Sequence, residues 1–415
     1  MSKETFRMKI IHTSDWHLGR RLCGQERTEE FKNFLEWLSA VIGAECPDAL
    51  IVAGDVFDTY TPPLWAQSLY FNFLTKLSAS RSGCSVVIVA GNHDSAALLD
   101  IPREVLKSLN VFVVGEKRSP EEEVVQLKAH DGTVGALCCA VPFLRSRDLC
   151  GAMAGETPEA IKAAELEGFR AHYEAVAAAA EAQRAKREIP IIAMGHCFVA
   201  GSQARDDDGV RDLSVGSIDA VPADVFPENI DYLALGHLHL AQTCGSRENY
   251  RYSGAPLCMG FGEAGQKKYI LVVDFDGRKA SIRPVPVPEF QKIRRVRGSF
   301  DEIAAELANL TFSWESVWAE AECTDEGARR LNDRICQLVP ENGPVKLLRV
   351  KVPGVHEGLF SGSGDLIEDW SPKEIFKLFL REHELEGTKG DALMTAYLEA
   401  LDAVLKNPDK KGEGQ

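Results

Sequence analysis

Lys9-Ile10-Ile11-His12-Thr13-Ser14-Asp15-Trp16-His17-Leu18-Gly19-Arg20 is a short apolar run of strand character that leads into an acid and an imidazole two positions apart. The same grammar recurs along the chain. Ala49 to Ala53 ends in Gly54-Asp55, and Val86 to Ala90 in Gly91-Asn92-His93-Asp94. Ile191 to Met194 leads to Gly195-His196, and Tyr232 to Leu235 to Gly236-His237-Leu238-His239. Short apolar runs closed by glycine read as buried strands. Between the early ones lie stretches of helical spacing: Phe31 to Gly43, with Phe31, Phe34, Leu35 and Leu38 on one face, and Leu64 to Ser80. Strands layered between helices predict an α/β fold, a layered β-sandwich flanked by helices, with polar groups gathered along one sheet edge.

Other elements extend this pattern. Leu137 to Val141 reads as a further strand. Thr157-Pro158 caps a long Ala- and Glu-rich helix running to about Lys186, a covering element rather than a catalytic one. Tyr250 to Ser253 and Tyr269 to Phe275 read as closing antiparallel strands. Pro284, Pro286 and Pro288 make a stiff extended connector, which places a domain boundary there. The expected domains are 1–283, a smaller α+β capping domain over 284–365, C-terminal helices over 366–406 and a disordered tail at 407–415. Within the second, Lys292 to Arg297, a helical Phe300 to Leu310 and a β-like Lys346 to Val352 stand out, before a glycine-rich loop from Gly354 to Gly364. Ser371-Pro372-Lys373-Glu374 is a capping box that opens a helix through about Phe379. A second amphipathic helix follows from about Asp391 to Leu405.

Bulk properties exclude several classes. The 415 residues are too many for one ordinary core. No apolar run is long enough to span a bilayer, and the start lacks a signal-peptide pattern, so the expected compartment is the cytoplasm. Eleven cysteines without a CxxC pair suit buried, reduced thiols better than a disulfide framework, Cys197 included. A net charge of −15 argues against a protein that simply coats DNA, because phosphate contacts need local cations. Basic residues do cluster at Arg20, Arg21 and Arg27, at Arg145 and Arg147, and at Arg294, Arg295 and Arg297. Each cluster reads equally as a phosphate-contacting surface or a solvated face.

The recurring donors point to two-metal phosphoester hydrolysis, which needs a bridging carboxylate, terminal ligands and an activated water. Asp15 and His17 can address one cation, with His239 returning to it. Asp55 at a strand end can bridge two ions, and Asn92, His196 and His237 serve the second. Imidazole and carboxylate donors without thiolates suit Mn²⁺, Fe²⁺ or Zn²⁺. His93, next to a ligand in sequence, reads as the general acid that protonates the leaving oxygen, oriented by Asp58 or Asp94. Taken singly, Asp55 is an ordinary turn residue, His196 a core histidine, and Asn92-His93-Asp94 a helix cap. Five such clusters in one order make the joint reading the stronger. His12, His130, His172 and His383 lack this setting and read as structural or surface residues.

Asp15-Trp16-His17-Leu18-Gly19, Gly54-Asp55-Val56-Phe57-Asp58, Gly91-Asn92-His93-Asp94 and Gly236-His237-Leu238-His239 resemble the calcineurin-like metallophosphoesterase superfamily. Asp15 to Arg20, Phe57-Asp58-Thr59 with Pro62-Pro63, Pro142-Phe143-Leu144-Arg145, Val215-Gly216, Tyr252 to Leu257, Gly265 to Lys268 and the Ser371-Pro372 helix resemble its SbcD nuclease branch. The resemblance implies two Mn²⁺ ions held by Asp15, His17, Asp55, Asn92, His196, His237 and His239, with His93 as proton donor. It also implies a homodimer that pairs with an SbcC-type coiled-coil ATPase and acts on DNA as exonuclease, endonuclease and hairpin opener, with the C-terminal helices as docking elements. Asp58 stands where archaeal and eukaryotic relatives carry histidine, and Met259-Gly260-Phe261-Gly262-Glu263 departs from the branch's usual pattern, so no role is read there. A small-molecule or nucleotide phosphodiesterase with the same site, and a non-catalytic scaffold, are the rival expectations.

Overall fold

The structure, a computed structural model, describes residues 7–352 except 81–82, 152–156, 204–219, 246, 314–315, 326–327 and 341–342, and beyond them 373, 376–377, 379–380, 385, 390, 393–398 and 401. Val215-Gly216, the 354–364 loop, the Ser371-Pro372 cap, His383 and the 407–415 tail lie outside the described residues.

The chain begins with β1 (Arg7–Thr13), α1 (Thr28–Glu45), β2 (Ala49–Ala53), α2 (Leu64–Ala79), β3 (Ser85–Val89), α3 (Ala96–Asp100), α4 (Arg103–Ser108) and β4 (Val111–Val114). It continues through β5 (Val124–Lys128), β6 (Val134–Ala140), α5 (Ser146–Leu149), α6 (Pro158–Arg184), β7 (Ile191–His196), β8 (Tyr232–Gly236), β9 (Gln242–Cys244) and β10 (Arg247–Tyr252). Then come β11 (Lys268–Asp276), β12 (Lys279–Val287), β13 (Lys292–Gly298), α7 (Phe300–Ser313), β14 (Val317–Cys323), α8 (Ala328–Cys336) and β15 (Val345–Lys351).

Two six-stranded sheets result, ordered β12-β11-β1-β2-β3-β4 and β5-β6-β7-β8-β10-β9. Side-chain alternation on β2 shows how they stack. Leu50 and Val52 face the α1 and α2 side, where Phe31, Phe34, Leu38, Tyr70 and Phe73 pack. Ala49, Ile51 and Ala53 face the other way, into a core shared with Cys138, Ile192, Met194 and Ala234 of the second sheet. α6 covers the outer face of that sheet through Phe169, Tyr173, Val176 and Ala180, in a core that also holds Cys197. Burial on both faces explains why these strands read as continuous apolar runs. The α6 start is as expected: Thr157 Oγ accepts the Ala160 N–H at 3.3 Å, with Pro158 at the first position.

Two differences from the sequence reading concern edges. Tyr250 to Ser253 is expected to be antiparallel, but β10 runs parallel to β8 and antiparallel only to the short β9. Pro284 and Pro286 belong to β12, where they oppose Leu271 and Tyr269 of β11, rather than to a free connector. Only an edge strand tolerates prolines there, because one of its sides needs no N–H. The architecture changes just after that strand, where β13, β14 and β15 form a separate, wholly parallel sheet. Its helices alternate with its strands, and its core gathers Val296, Ile303, Leu307, Ala319, Ala321, Ile335 and Val345.

The C-terminal residues from 357 form a compact unit with 23–25. Within it, residues 376–377, 379–380 and 393–398 are helical, and the Phe376 ring lies flat on Tyr397 with centroids 4.0 Å apart. Among the described residues, no helix is long and apolar enough to cross a membrane.

Candidate metal centre

β1, β2 and β3 are parallel neighbours in one sheet, and β7 and β8 are parallel neighbours in the other. Their carboxyl ends therefore meet at one rim, and the loops that leave them carry every donor singled out in the sequence. Backbone strain is concentrated here. Asp15 (φ 52°), His17 (φ 48°), Asp55 (φ 49°) and His237 (φ 97°) all sit in the left-handed region, each at a cost of about 1–3 kcal/mol. Non-glycine residues persist there only where surrounding contacts over-determine them. Those contacts are present: Asp15 N–H donates to the Gly54 carbonyl, His17 N–H to the Asp55 carbonyl, and His237 N–H to Asp15 Oδ1 at 2.8 Å. Two glycines permit close approach at the rim, Gly236 between the two sheets and Gly91 between the loops after β2 and β3. A Cβ on Gly236 would stand 1.9 Å from the Ala53 carbonyl oxygen, and one on Gly91 would stand 2.1 Å from Asp55 Oδ1.

The donors form two sets joined by Asp55. In the first set His17 Nε2 and His239 Nε2 approach to 3.1 Å, and Asp15, His17 and His239 are close enough to hold one ion together. In the second set Asn92 Oδ1 lies 3.0 Å from His196 Nε2 and 3.1 Å from His237 Nδ1. Asp55 Oδ2 is 3.6 Å from His17 Nε2 and 3.3 Å from His196 Nε2, so one carboxylate oxygen faces both sets. His196 is oriented by its other nitrogen, with Nδ1 2.9 Å from the Ala53 carbonyl oxygen. A partner on one ring nitrogen fixes the tautomer and directs the other nitrogen into the site. Nitrogen and oxygen donors that converge without enough protons to satisfy one another fit a pair of divalent cations.

The electrostatics agree. Burial opposes the charge on Asp55, yet the His196, His93 and His17 rings overcome it and hold the carboxyl well below its ordinary range. Burial also opposes a charged His196, but Asp55 and Asp15 push its pKa up to about 9. Burial dominates at His17 and pulls it to about 3 in spite of Asp58 and Asp55. His237 is likewise held low, by burial and by the neighbouring His196.

Of the acid–base candidates, His93 and Asp58 stand beside His17, close enough for the three to hold one ion together. His93 lies against His17, rings edge to face with centroids 4.9 Å apart, and its N–H donates to Asp55 Oδ1 at 2.9 Å. Its Nδ1 is 2.8 Å from the backbone carbonyl oxygen of Asp58. The Asp58 carboxylate instead lies 3.3 Å from His17 Nδ1 and accepts from Arg20 Nη1 at 3.0 Å. Asp94 is a strut: it accepts the N–H groups of Val56, Phe57 and Gly91, which ties the loop after β2 to the loop after β3. Burial and then the Asp55 charge push its pKa up to about 7 against those three donors.

Glu263 has no role in the sequence reading, yet it touches a donor. It is buried, with Oε1 3.2 Å from His239 Nδ1 and Oε2 2.8 Å from Lys268 Nζ. Burial raises its pKa, but Lys268 and His239 bring it down to about 2. The one local signal is an acid in a glycine-rich turn five residues before a lysine that heads an apolar strand. Six of the clustered arginines are engaged with acids: Arg20 with Asp58, Arg27 with Glu30, Arg147 with Glu116 and Asp148, Arg294 with Glu289, Arg295 with Glu320 and Arg297 with Glu322. The other described histidines lie elsewhere: His12 on Tyr232, His172 on Glu123, and His130 on the Cys46 carbonyl.

Comparison with known proteins bears on the same residues. Residues 8–241 match the calcineurin-like phosphoesterase family, and residues 289–384 match the family described as type 5 capsule protein repressor C-terminal domain. The chain is 36% identical to the SbcD component of the SbcCD nuclease of Escherichia coli over 407 residues, 95% of this chain and 98% of that protein. It is also 36% identical to the corresponding SbcCD nuclease component of Rhodobacter capsulatus, over 73% of this chain and 76% of the relative.

Proposed function

The chain belongs to the calcineurin-like phosphoesterase family and, within it, to the SbcD nucleases, and from that premise we propose that it is the metal-dependent DNA nuclease subunit of a complex with an SbcC-type coiled-coil ATPase. Its proposed activities are ATP-dependent 3′–5′ degradation of double-stranded ends, endonucleolytic cutting of single strands and opening of hairpins. It acts in DNA repair, recombination and replication, in the cytoplasm, as a homodimer within a heterotetramer. An acidic chain is compatible with this work when the ATPase supplies part of the grip on phosphate.

Asp15, His17 and His239 hold one divalent ion in this reading, and Asn92, His196 and His237 hold the second, with Asp55 shared. Mn²⁺ suits a set of imidazoles, carboxylates and one amide oxygen without thiolate. When bound, the ions lower the pKa of water and neutralise charge on the phosphoryl group. His93 holds the proton for the leaving oxygen. Its Nδ1 is occupied by the Asp58 carbonyl oxygen, which leaves Nε2 as the atom that transfers it. What supports the two-ion reading above all is Asp55, whose Oδ2 lies within 3.6 Å of one donor set and 3.3 Å of the other.

The test is cleavage of an end-labelled hairpin duplex by the purified chain with Mn²⁺, with and without an SbcC-type ATPase. Cleavage that chelator or Asp55→Ala abolishes supports the nuclease, and stimulation by the ATPase supports the complex. Hydrolysis of nucleotide phosphodiesters without any DNA cleavage would point to a small-molecule phosphodiesterase. Inactivity on both, with ions bound, would point to a scaffold.

A further inference from the structure

Each imidazole of the first donor set is backed by a carboxylate on its far nitrogen. His17 Nδ1 is 3.3 Å from Asp58 Oδ1, and His239 Nδ1 is 3.2 Å from Glu263 Oε1. Glu263 belongs to the turn Phe261–Glu263, more than twenty residues beyond His239 in sequence, and is carried to the site by the passage from β10 to β11. Two contacts hold its buried carboxylate in place. Oε2 accepts the Met259 N–H at 2.7 Å and lies 2.8 Å from Lys268 Nζ. Lys268 Nζ also donates to the His239 carbonyl oxygen at 3.2 Å, so the Glu263–Lys268 pair faces the same residue at its ring and at its backbone.

The two carboxylates are connected through Arg20. Its Nη1 donates to Asp58 Oδ1 at 3.0 Å, and its Nε donates to the Met259 carbonyl oxygen at 3.0 Å. A closed circuit follows: His17, Asp58, Arg20, Met259, Glu263, His239, and back to His17 across the 3.1 Å gap between the two Nε2 atoms. Partners in this outer position fix ring orientation and tautomer, and losing one typically lowers metal affinity on the order of 10–100-fold.

We propose that Glu263, clamped by Lys268, is the positioning residue for His239, and that Arg20 joins it to Asp58 so that both imidazoles of one ion share a single outer shell. The proposal rests on the two-ion reading above. It predicts an asymmetric defect, because the circuit runs through His17 and His239, the imidazoles of the first set.

Mn²⁺ titration of the chelator-stripped full chain by calorimetry tests this, with metal-free thermal melting as the control for folding. The wild type should take up two ions. Glu263→Gln should weaken one site by roughly 10–100-fold and leave the other unchanged. Arg20→Met should weaken the same site by less, and the Arg20→Met, Glu263→Gln double variant should lose less than the sum of the two in log affinity. If Glu263→Gln does not fold, Glu263→Asp and Lys268→Met carry the same expectation. Unchanged affinity at both sites, or equal weakening of both with a matching drop in melting temperature, would overturn the proposal. A wild-type chain that binds fewer than two ions would overturn the two-ion reading itself.

Discussion

His93 Nδ1 stands 2.8 Å from the backbone carbonyl oxygen of Asp58, while the Asp58 carboxylate lies against His17 and Arg20. One residue thus serves two rings, with its backbone to His93 and its side chain to His17. The division matters because a carbonyl cannot titrate: it holds the His93 ring without adding charge to it. His93→Ala should therefore lower the cleavage rate by roughly 10²–10⁴ while two Mn²⁺ ions still bind. Asp58→Asn should leave His93 oriented and act through His17, weakening metal binding instead. Single-turnover cleavage beside Mn²⁺ titration separates the two, and near wild-type cleavage by His93→Ala would remove it from the proton-donor role.

Asp94 yields a different expectation from the one its place in the Gly91-Asn92-His93-Asp94 motif suggests. Its carboxylate accepts three backbone N–H groups, those of Val56, Phe57 and Gly91, in a fully buried setting. Asp94→Ala leaves these donors unsatisfied, each at about 1–3 kcal/mol. The metal-free variant should melt at a clearly lower temperature than the wild type, and Asp94→Asn, which keeps one acceptor oxygen, should lie between them. Equal melting temperatures for all three proteins would show that the strut carries no stability.

The parts of this site that were legible in sequence share one property: each donor lies within a few residues of the apolar run that places it. Asp55 after Ala49–Ala53 and His237 after Tyr232–Gly236 are examples. Glu263 was not legible because its partner His239 is reached only after the chain passes through β10. The direction of β10 was hidden for a related reason, since nothing local encodes which neighbour a strand pairs with. β14 was overlooked because Val317-Trp318-Ala319-Glu320-Ala321-Glu322-Cys323 places a fully buried acid in a strand. Glu320 is tolerated there only because Arg295 and Arg349 flank it from β13 and β15, and a burial rule applied to one strand cannot see its neighbours.

Gly236 lies where the two sheets approach closely at the rim. A methyl group there would meet the Ala53 carbonyl oxygen at 1.9 Å and His196 Nδ1 at 2.8 Å, and backbone cannot swing aside as a side chain can. Gly236→Ala should push the sheets apart and break the bond that orients His196, costing about 1–3 kcal/mol in stability. Mn²⁺ titration should show the second site weakened, the opposite pattern to Glu263→Gln. Gly151→Ala, where nothing lies within 4 Å of the added methyl, is the control for the glycine change itself.

His12 lies in β1, fully buried, with Nδ1 2.9 Å from the Tyr232 hydroxyl of the opposite sheet. Burial lowers its pKa from 6.5 to about 3, a pull that a backbone interaction with the Leu235 carbonyl only partly offsets. The folded state therefore keeps the ring neutral where the unfolded chain binds a proton. Above pH 6.5 neither state is protonated and the site contributes no pH dependence. As pH falls from 6.5 toward about 3, the unfolded chain gains a proton that the fold refuses, and stability drops by about 1.4 kcal/mol per pH unit. His12→Asn retains a hydrogen-bonding group opposite Tyr232 but cannot titrate. Urea unfolding of the metal-free proteins from pH 7.5 to pH 4 should show the wild type losing stability faster than His12→Asn below about pH 6.5. Parallel curves over that range would mean that His12 accepts a proton inside the fold.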